Sequence, residues 1–212
     1  LYKEINMGVQ SDVKVTFISD EVAADADGIS VSAQVDENDP LVIGGALHSG
    51  NAIAFTSARK IVITSGGDDS GISFTIVGTD IDGTSLTEAL TGANAGDATS
   101  SNYFKTIASI TAVGDPAGTV VAGSTTSAAD VVFAGRTRLK GYSIVSGGTA
   151  GVVEFFNGDP NDSGSALFKA RTVGTDNTTI DNTIPEEGIL FDSGLYIVYT
   201  IATIDMMSFF YA

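Results

Sequence analysis

Carboxylates gathered in short acidic turns are the side chains of this sequence best suited to chemistry. Ca²⁺ prefers six to eight oxygen ligands, and Asp and Asn at alternating positions can supply several of them. The turn that begins at Asp159 matches the first half of an EF-hand loop, but its twelfth position is Ala170. The turn that begins at Asp80 has Thr91 at that position. Asp and Gly also favour turns for conformational reasons. We therefore interpret these segments as turns that need no cofactor, and leave Ca²⁺ binding open: 25–28, 36–39, 68–69, 80–83 and 159–164.

Nucleophilic catalysis has few candidate residues. The chain has no Cys and a single histidine, His48, so thiolate chemistry and multi-histidine metal centres are excluded. A catalytic triad needs a histidine, an acid and a serine, but no Gly-x-Ser-x-Gly motif accompanies them. The absence of Trp disfavours a sugar-processing carboxylate pair. We expect His48 to lie in a surface loop and predict that the protein is not an enzyme, with a hydrolase as a remote alternative.

A basic cluster stands out in an acidic chain. Arg136, Arg138 and Lys140 alternate along the sequence, so a strand would place them on one face. Such a face could dock an acidic partner or the acidic part of an identical subunit. The alternative is an ordinary solvated edge, where charges block unwanted strand pairing.

The overall charge limits the partners. Ten Lys and Arg against twenty-six Asp and Glu give a formal net charge of −16. This charge repels phosphate backbones and anionic lipid headgroups, so we expect neither nucleic acid nor a membrane as a partner. No apolar run approaches the roughly 20 residues that cross a bilayer, and no signal peptide is visible.

The elements that must position these residues are strands. The chain is 43% hydrophobic and only 17% charged, which favours an ordered protein. Apolar residues alternate with polar ones almost throughout, and turn residues recur every 8–12 positions or so. The segments flanking residues 65–71 and those flanking Asp82-Gly83 each predict a hairpin. The pattern predicts an all-β protein with two β-sandwich domains, one immunoglobulin-like and one compact and jelly-roll-like. We place an N-terminal arm at 1–16 and the domains at 17–128 and 129–212.

The end of the chain is apolar and aromatic. An exposed tail of this composition would invite aggregation, so we expect a strand paired within the second domain and close to another subunit. The residues that we predict to contact a capsid or another subunit are Lys3, Arg136, Arg138, Lys140, Phe209, Phe210 and Tyr211.

Several stretches carry a family resemblance. They include Leu86-Thr-Glu-Ala-Leu-Thr-Gly92 and Tyr103-Phe-Lys-Thr-Ile-Ala-Ser-Ile110. Together with residues 25–30, 44–47, 63–83, 184–191 and 194–197, they resemble small virion structural proteins of tailed bacteriophages, especially marine ones. The resemblance implies a particle component, and no catalytic motif comes with it.

We therefore expect a capsid decoration (cement) protein. It would bind the major capsid protein on the outer surface of the virion and form a homotrimer. The alternatives are a tail, collar or fibre component, and a Ca²⁺-dependent carbohydrate-binding adhesion module.

Overall fold

The prediction of an all-β protein is confirmed. The computed structural model describes residues 12–19, 22–50 and 52–212. Within these ranges the chain forms sixteen strands and a single turn of 3₁₀ helix, Ile201–Thr203. The strands are β1 (Lys14–Ser19), β2 (Ser30–Ala33), β3 (His48–Ser49), β4 (Ala52–Ser65), β5 (Ser73–Thr79), β6 (Ser85–Thr91), β7 (Asp97–Thr99), β8 (Phe104–Val113), β9 (Val120–Phe133), β10 (Thr137–Ser146), β11 (Val152–Asn157), β12 (Phe168–Arg171), β13 (Thr178–Thr183), β14 (Ile189–Phe191), β15 (Leu195–Thr200) and β16 (Ile204–Tyr211).

The strands form two antiparallel sheets. The small sheet has the order β1-β16-β10-β13, with β14 also paired to β10. The large sheet has the order β12-β11-β15-β9-β4-β8-β5-β6, with β2 on β9 and with β3 and β7 on β4. The hairpin predicted at Asp82-Gly83 is confirmed, because β5 pairs with β6. The hairpin predicted across residues 65–71 is wrong, because β8 lies between β4 and β5 and pairs with both.

The small sheet packs against one end of the large sheet to form a sandwich in the C-terminal half. Along β16, Met207, Phe209 and Tyr211 are buried and the residues between them are more exposed. Their side chains join those of β10, β11 and β15 in one apolar cluster. The cluster is rich in aromatic rings, with Phe155 4.2 Å from the stacked ring of Phe168 and 5.8 Å from the edge-on ring of Phe209.

The N-terminal half has an aliphatic core. Isoleucines of β4, β5 and β8 meet Phe74 and Phe104 in a second cluster. Ile29, Val35 and Leu41 complete it from the segment 22–47, which is largely irregular. This segment lies very close to the sheet: a Cβ added to Gly123 would be 2.2 Å from the carbonyl oxygen of Asp25.

Two features of the structure bear on the predicted division of the chain into an arm and two domains. Residues 14–16, predicted as part of the arm, lie in β1 and pair with Phe209–Tyr211 of β16. The boundary predicted at residue 128 falls inside β9, a 14-residue strand that runs through both halves. The halves are therefore joined by a continuous strand. The immunoglobulin-like and jelly-roll-like topologies stay predictions.

Candidate functional site

The basic cluster is engaged by its own chain. Arg138 Nη1 donates to the carbonyl oxygen of Gly188 at 3.5 Å. Lys140 Nζ donates to the carbonyl oxygens of Glu186 and Glu187 at 3.2 and 3.1 Å. These contacts link the loop between β13 and β14 to β10 and use two of the three N–H donors of Lys140 but only one of the five of Arg138.

Arg136 precedes β10 and contacts a different residue. Its Nε lies 3.1 Å from Asp192 Oδ1, and both side chains are about two-thirds exposed, at 66% and 64%. An ion pair this exposed is weak, because water and salt screen it. Arg136 is the member of the basic cluster that is most available to an acidic partner.

The three C-terminal aromatic residues separate into core and surface. Phe209 and Tyr211 are 0% and 8% exposed and pack in the C-terminal core. Phe210 points the other way and is 40% exposed. We therefore correct the predicted contact surface: Phe209 and Tyr211 are structural, because successive residues of a strand face opposite sides of its sheet. Lys3 lies outside the described residues.

The acidic turns are held by their own carboxylates. Asp80 Oδ1 accepts hydrogen bonds from the backbone N–H groups of Asp82 and Thr84, and Asp159 Oδ1 accepts one from Asn161. Asp25 Oδ1 likewise accepts from the N–H of Asp27. Side-chain oxygens that bond to the backbone two residues on stabilise turns locally. These hydrogen bonds agree with the interpretation of the acidic segments as turns.

Two of these turns meet where the halves of the chain join. Tyr196 donates its hydroxyl hydrogen to Asp82 Oδ2 at 2.6 Å. Burial raises the pKa of Asp159, and the negative charges of Asp80, Asp82 and Asp162 raise it further. Burial and the hydrogen bond to Asp82 likewise raise the pKa of Tyr196. Within the described ranges, no group of three or more His, Cys, Asp or Glu side chains is arranged to hold a metal ion.

A second polar contact fastens the same junction. Asn161 Oδ1 accepts a hydrogen bond from the backbone N–H of Tyr103 at 2.7 Å, and its Nδ2 donates to the carbonyl oxygen of Tyr103 at 3.1 Å. Around them, Ile81 and Tyr103 of the N-terminal half pack with Phe156 and Tyr196 of the C-terminal half. We call this region, from the two acidic turns to this apolar cluster, the junction.

Sequence reasoning missed a partly buried network that links three strands. Ser57 of β4 donates to Asp130 Oδ2 of β9 at 2.5 Å, and Tyr199 of β15 donates to the same oxygen at 2.9 Å. These residues lie far apart along the chain and belong to no motif, so only the strand order brings them together. Ser57 is 1% exposed, and its hydroxyl is directed at the carboxylate, which suits a structural role.

His48 does not join this network. It is exposed, and its Nδ1 lies 2.6 Å from the carbonyl oxygen of Gly45 in its own turn. Within the described ranges, no hydrogen bond links the His48 side chain to a serine or a carboxylate. In residues 12–19, 22–50 and 52–212, no helix has the length and apolar character needed to cross a membrane.

Comparison with known proteins adds no family assignment: no protein-family model matches the chain, and no curated protein matches it.

Proposed function

We propose that this chain is a non-enzymatic structural protein of a tailed-phage virion. In this proposal it is a decoration protein that binds the major capsid protein on the outer surface of the capsid and stabilises the shell. The observation that carries the structural part is the junction, where Tyr196, Asp82, Asn161 and Tyr103 use their polar groups to fasten one half of the molecule to the other. The resemblance noted in the sequence supplies the virion part.

A stiff subunit suits this role. A protein that braces a shell must transmit force between its contacts without bending, and a strand that belongs to both cores provides such a path. β9 gives Val120 and Ala122 to the N-terminal core and Ala128 and Val132 to the C-terminal core. The net charge of −16 opposes indiscriminate association of free copies before assembly, and a chain without Cys is indifferent to redox conditions.

The location on the particle is tested by labelling. An antibody raised against the purified chain is applied to tailed-phage particles from the source of the sequence and detected with gold under the electron microscope. Gold spread over the head is the expected result. Gold confined to the tail, to the collar or to one vertex would replace decoration by a tail, collar or fibre role. Particles without gold would contradict a virion role altogether.

The second candidate function is a Ca²⁺-dependent carbohydrate-binding adhesion module. It rests on the sequence, which places Asp80 with Asp82, and Asp159 with Asn161, at alternating positions of two acidic turns. Glycan binding that a chelator abolishes, and that Asp82→Asn weakens, would support this candidate over the decoration role. Asp192→Asn, which removes an exposed carboxylate at a distant ion pair, is the matched control.

A further inference from the structure

The outward face of the small sheet carries a contiguous apolar patch. Val15 and Phe17 of β1 are 59% and 55% exposed, and Met206 and Phe210 of β16 are 38% and 40% exposed. Val15 lies directly opposite Phe210 in the strand register, so the two exposed rows touch. We call this surface the outer face. A patch of several large apolar side chains on a soluble protein marks an interaction site.

The centre of the outer face has no charge. The next strand, β10, places Gly141, Ser143 and Val145 beside β16. Lys140 and Asp181, which have opposite charges, lie on the side towards β13 and line a groove there. In a chain with twenty-six acidic residues, a neutral surface is the place where a second copy of the same chain can approach without charge repulsion.

The outer face has both a projection and a groove. Phe17 projects from β1, and a groove of about 390 Å³ lies two strands away, over β10 and β13. Phe210, Gly141 and Thr183 are among the residues that line it. The register aligns Phe17 with Ser208 and Ser208 with Ser143, so the projection and the groove lie at the same height on either side of β16.

We propose that two copies of this chain pack outer face against outer face, around a two-fold axis that runs along β16. Rotation about that axis places β1 of each copy over β10 of the other. Phe17 of each copy then enters the groove of its neighbour. Because both copies use the same surface, the assembly closes as a dimer, in place of the trimer expected from the sequence. The inference does not depend on the virion role.

The size of the face sets the strength of this contact. The three strands that overlap across the axis, β1, β16 and β10, are spaced about 4.8 Å apart and about 27 Å long, so they cover roughly 400 Å² on each copy. The two faces together bury about 800 Å², which is less than a standard stable interface buries. We therefore expect a weak, reversible dimer with a dissociation constant in the upper micromolar range.

Salt separates this contact from docking by opposite charges. Each copy carries a net charge of −16, so the rest of the two surfaces repel each other. Added salt screens that repulsion and leaves apolar burial intact. Dimerisation should thus tighten when NaCl rises from about 50 mM to about 500 mM.

Sedimentation of the purified full chain over a concentration series provides the test. The expected result is a dimer of twice the 21.6 kDa chain mass, with Phe210→Lys raising the dissociation constant about 10-fold or more. Val113→Lys is the matched control, because Val113 is 50% exposed on the large sheet and gains the same charge. Thermal unfolding of both variants checks that the fold is intact. A monomer at every concentration, a trimer, a dimer that Phe210→Lys leaves unchanged, or association that weakens with salt would overturn the proposal.

Cross-linking tests the geometry without disturbing the apolar side chains. The chain has no Cys, so Ser208→Cys introduces a single thiol near the proposed axis. A short bismaleimide should join two copies of this variant covalently and should not cross-link the Val113→Cys variant, whose dimer places the two thiols far apart. Equal cross-linking of both variants, or none of Ser208→Cys at concentrations where the dimer forms, would overturn the two-fold arrangement.

Discussion

The two cores of this molecule are closed in different ways. In the C-terminal half, two sheets face each other and aromatic rings fill the space between them. In the N-terminal half, aliphatic side chains of the sheet meet Ile29, Val35 and Leu41 from the largely irregular segment 22–47. The first core therefore depends on ring packing. The second depends on how closely a loop can approach a strand.

The cores nevertheless share a frame. β9 contributes to both, and Ser57, Asp130 and Tyr199 join β4, β9 and β15 where the halves meet. One sheet can therefore support two kinds of cover.

Phe155→Ala should be the most damaging substitution. Phe155 is 0% exposed and contacts Tyr142, Phe168 and Phe209. Its removal leaves a cavity between two sheets that cannot collapse, and we expect a loss of about 3–5 kcal/mol in the free energy of unfolding, measured by urea denaturation. Val113→Ala, at an exposed position, should change it by less than about 0.5 kcal/mol. A loss below about 1 kcal/mol at Phe155 would mean that the aromatic core does not hold the C-terminal half.

Gly123→Ala should break the loop-covered core by a different route. The added Cβ would lie 2.2 Å from the carbonyl oxygen of Asp25, so segment 22–47 must move away from β9. We expect a loss of about 2–3 kcal/mol in the free energy of unfolding. Gly71→Ala is the control, because its Cβ would meet nothing within 4 Å. Equal free energies of unfolding for Gly123→Ala and Gly71→Ala would show that the close approach of Asp25 to β9 does not limit stability.

Two substitutions of Asp69 should distinguish the contribution of its hydrogen bond from that of its charge to the stability of the N-terminal half. It is 0% exposed, and its Oδ1 accepts a hydrogen bond from the backbone N–H of Ala117 at 2.7 Å. Its Oδ2 has no hydrogen-bond partner among the described residues. Asp69→Ala leaves the Ala117 donor unsatisfied and should lower the free energy of unfolding by about 1–3 kcal/mol. Asp69→Asn keeps the acceptor and should lose less. If Asp69→Asn lowers the free energy of unfolding more than Asp69→Ala does, the hydrogen bond to Ala117 is not what Asp69 contributes.

Asp159→Asn should give the smallest effect and a characteristic dependence on pH. The pKa of Asp159 is raised in the folded state by burial and by neighbouring carboxylates, so its ionised form destabilises the fold. That penalty is present at neutral pH and disappears as the pH falls through the folded-state pKa. The Asn variant should therefore be more stable at neutral pH, by less than about 1 kcal/mol because the group is partly exposed, and the gain should vanish in acid.

Thermal unfolding from neutral pH to about pH 3 measures this difference. Asp68→Asn is the contrasting control, because the hydroxyl of Ser70 lowers the pKa of Asp68. Its ionised form stabilises the fold, so that variant should be less stable at neutral pH and should lose the difference in acid. If Asp159→Asn and Asp68→Asn change the stability at neutral pH in the same direction, the opposite directions given for the two pKa shifts are wrong.

The sequence predicts local features well because local physics determines them. Alternation in β16 indicates a strand, and Asp82-Gly83 indicates a hairpin, because both depend on neighbouring residues. Prediction from the sequence fails where strands that are distant along the chain could pair with the same edge of a sheet. Nothing near residues 65–71 reveals that β8 inserts between β4 and β5, or that β1 pairs with the last strand of the chain. It also names Phe209 and Tyr211 as contacts, because apolar residues at a chain end do not reveal which face of the sheet each one occupies.

We expect the two cores to unfold as one cooperative unit, and calorimetry of the dilute full chain tests this expectation. Because β9 runs through both cores, the protein should unfold in a single transition whose calorimetric and van't Hoff enthalpies agree. Phe155→Ala should lower the temperature of that whole transition and leave it single. Two separate transitions, with Phe155→Ala moving only one of them, would show that the halves unfold independently and would contradict the account.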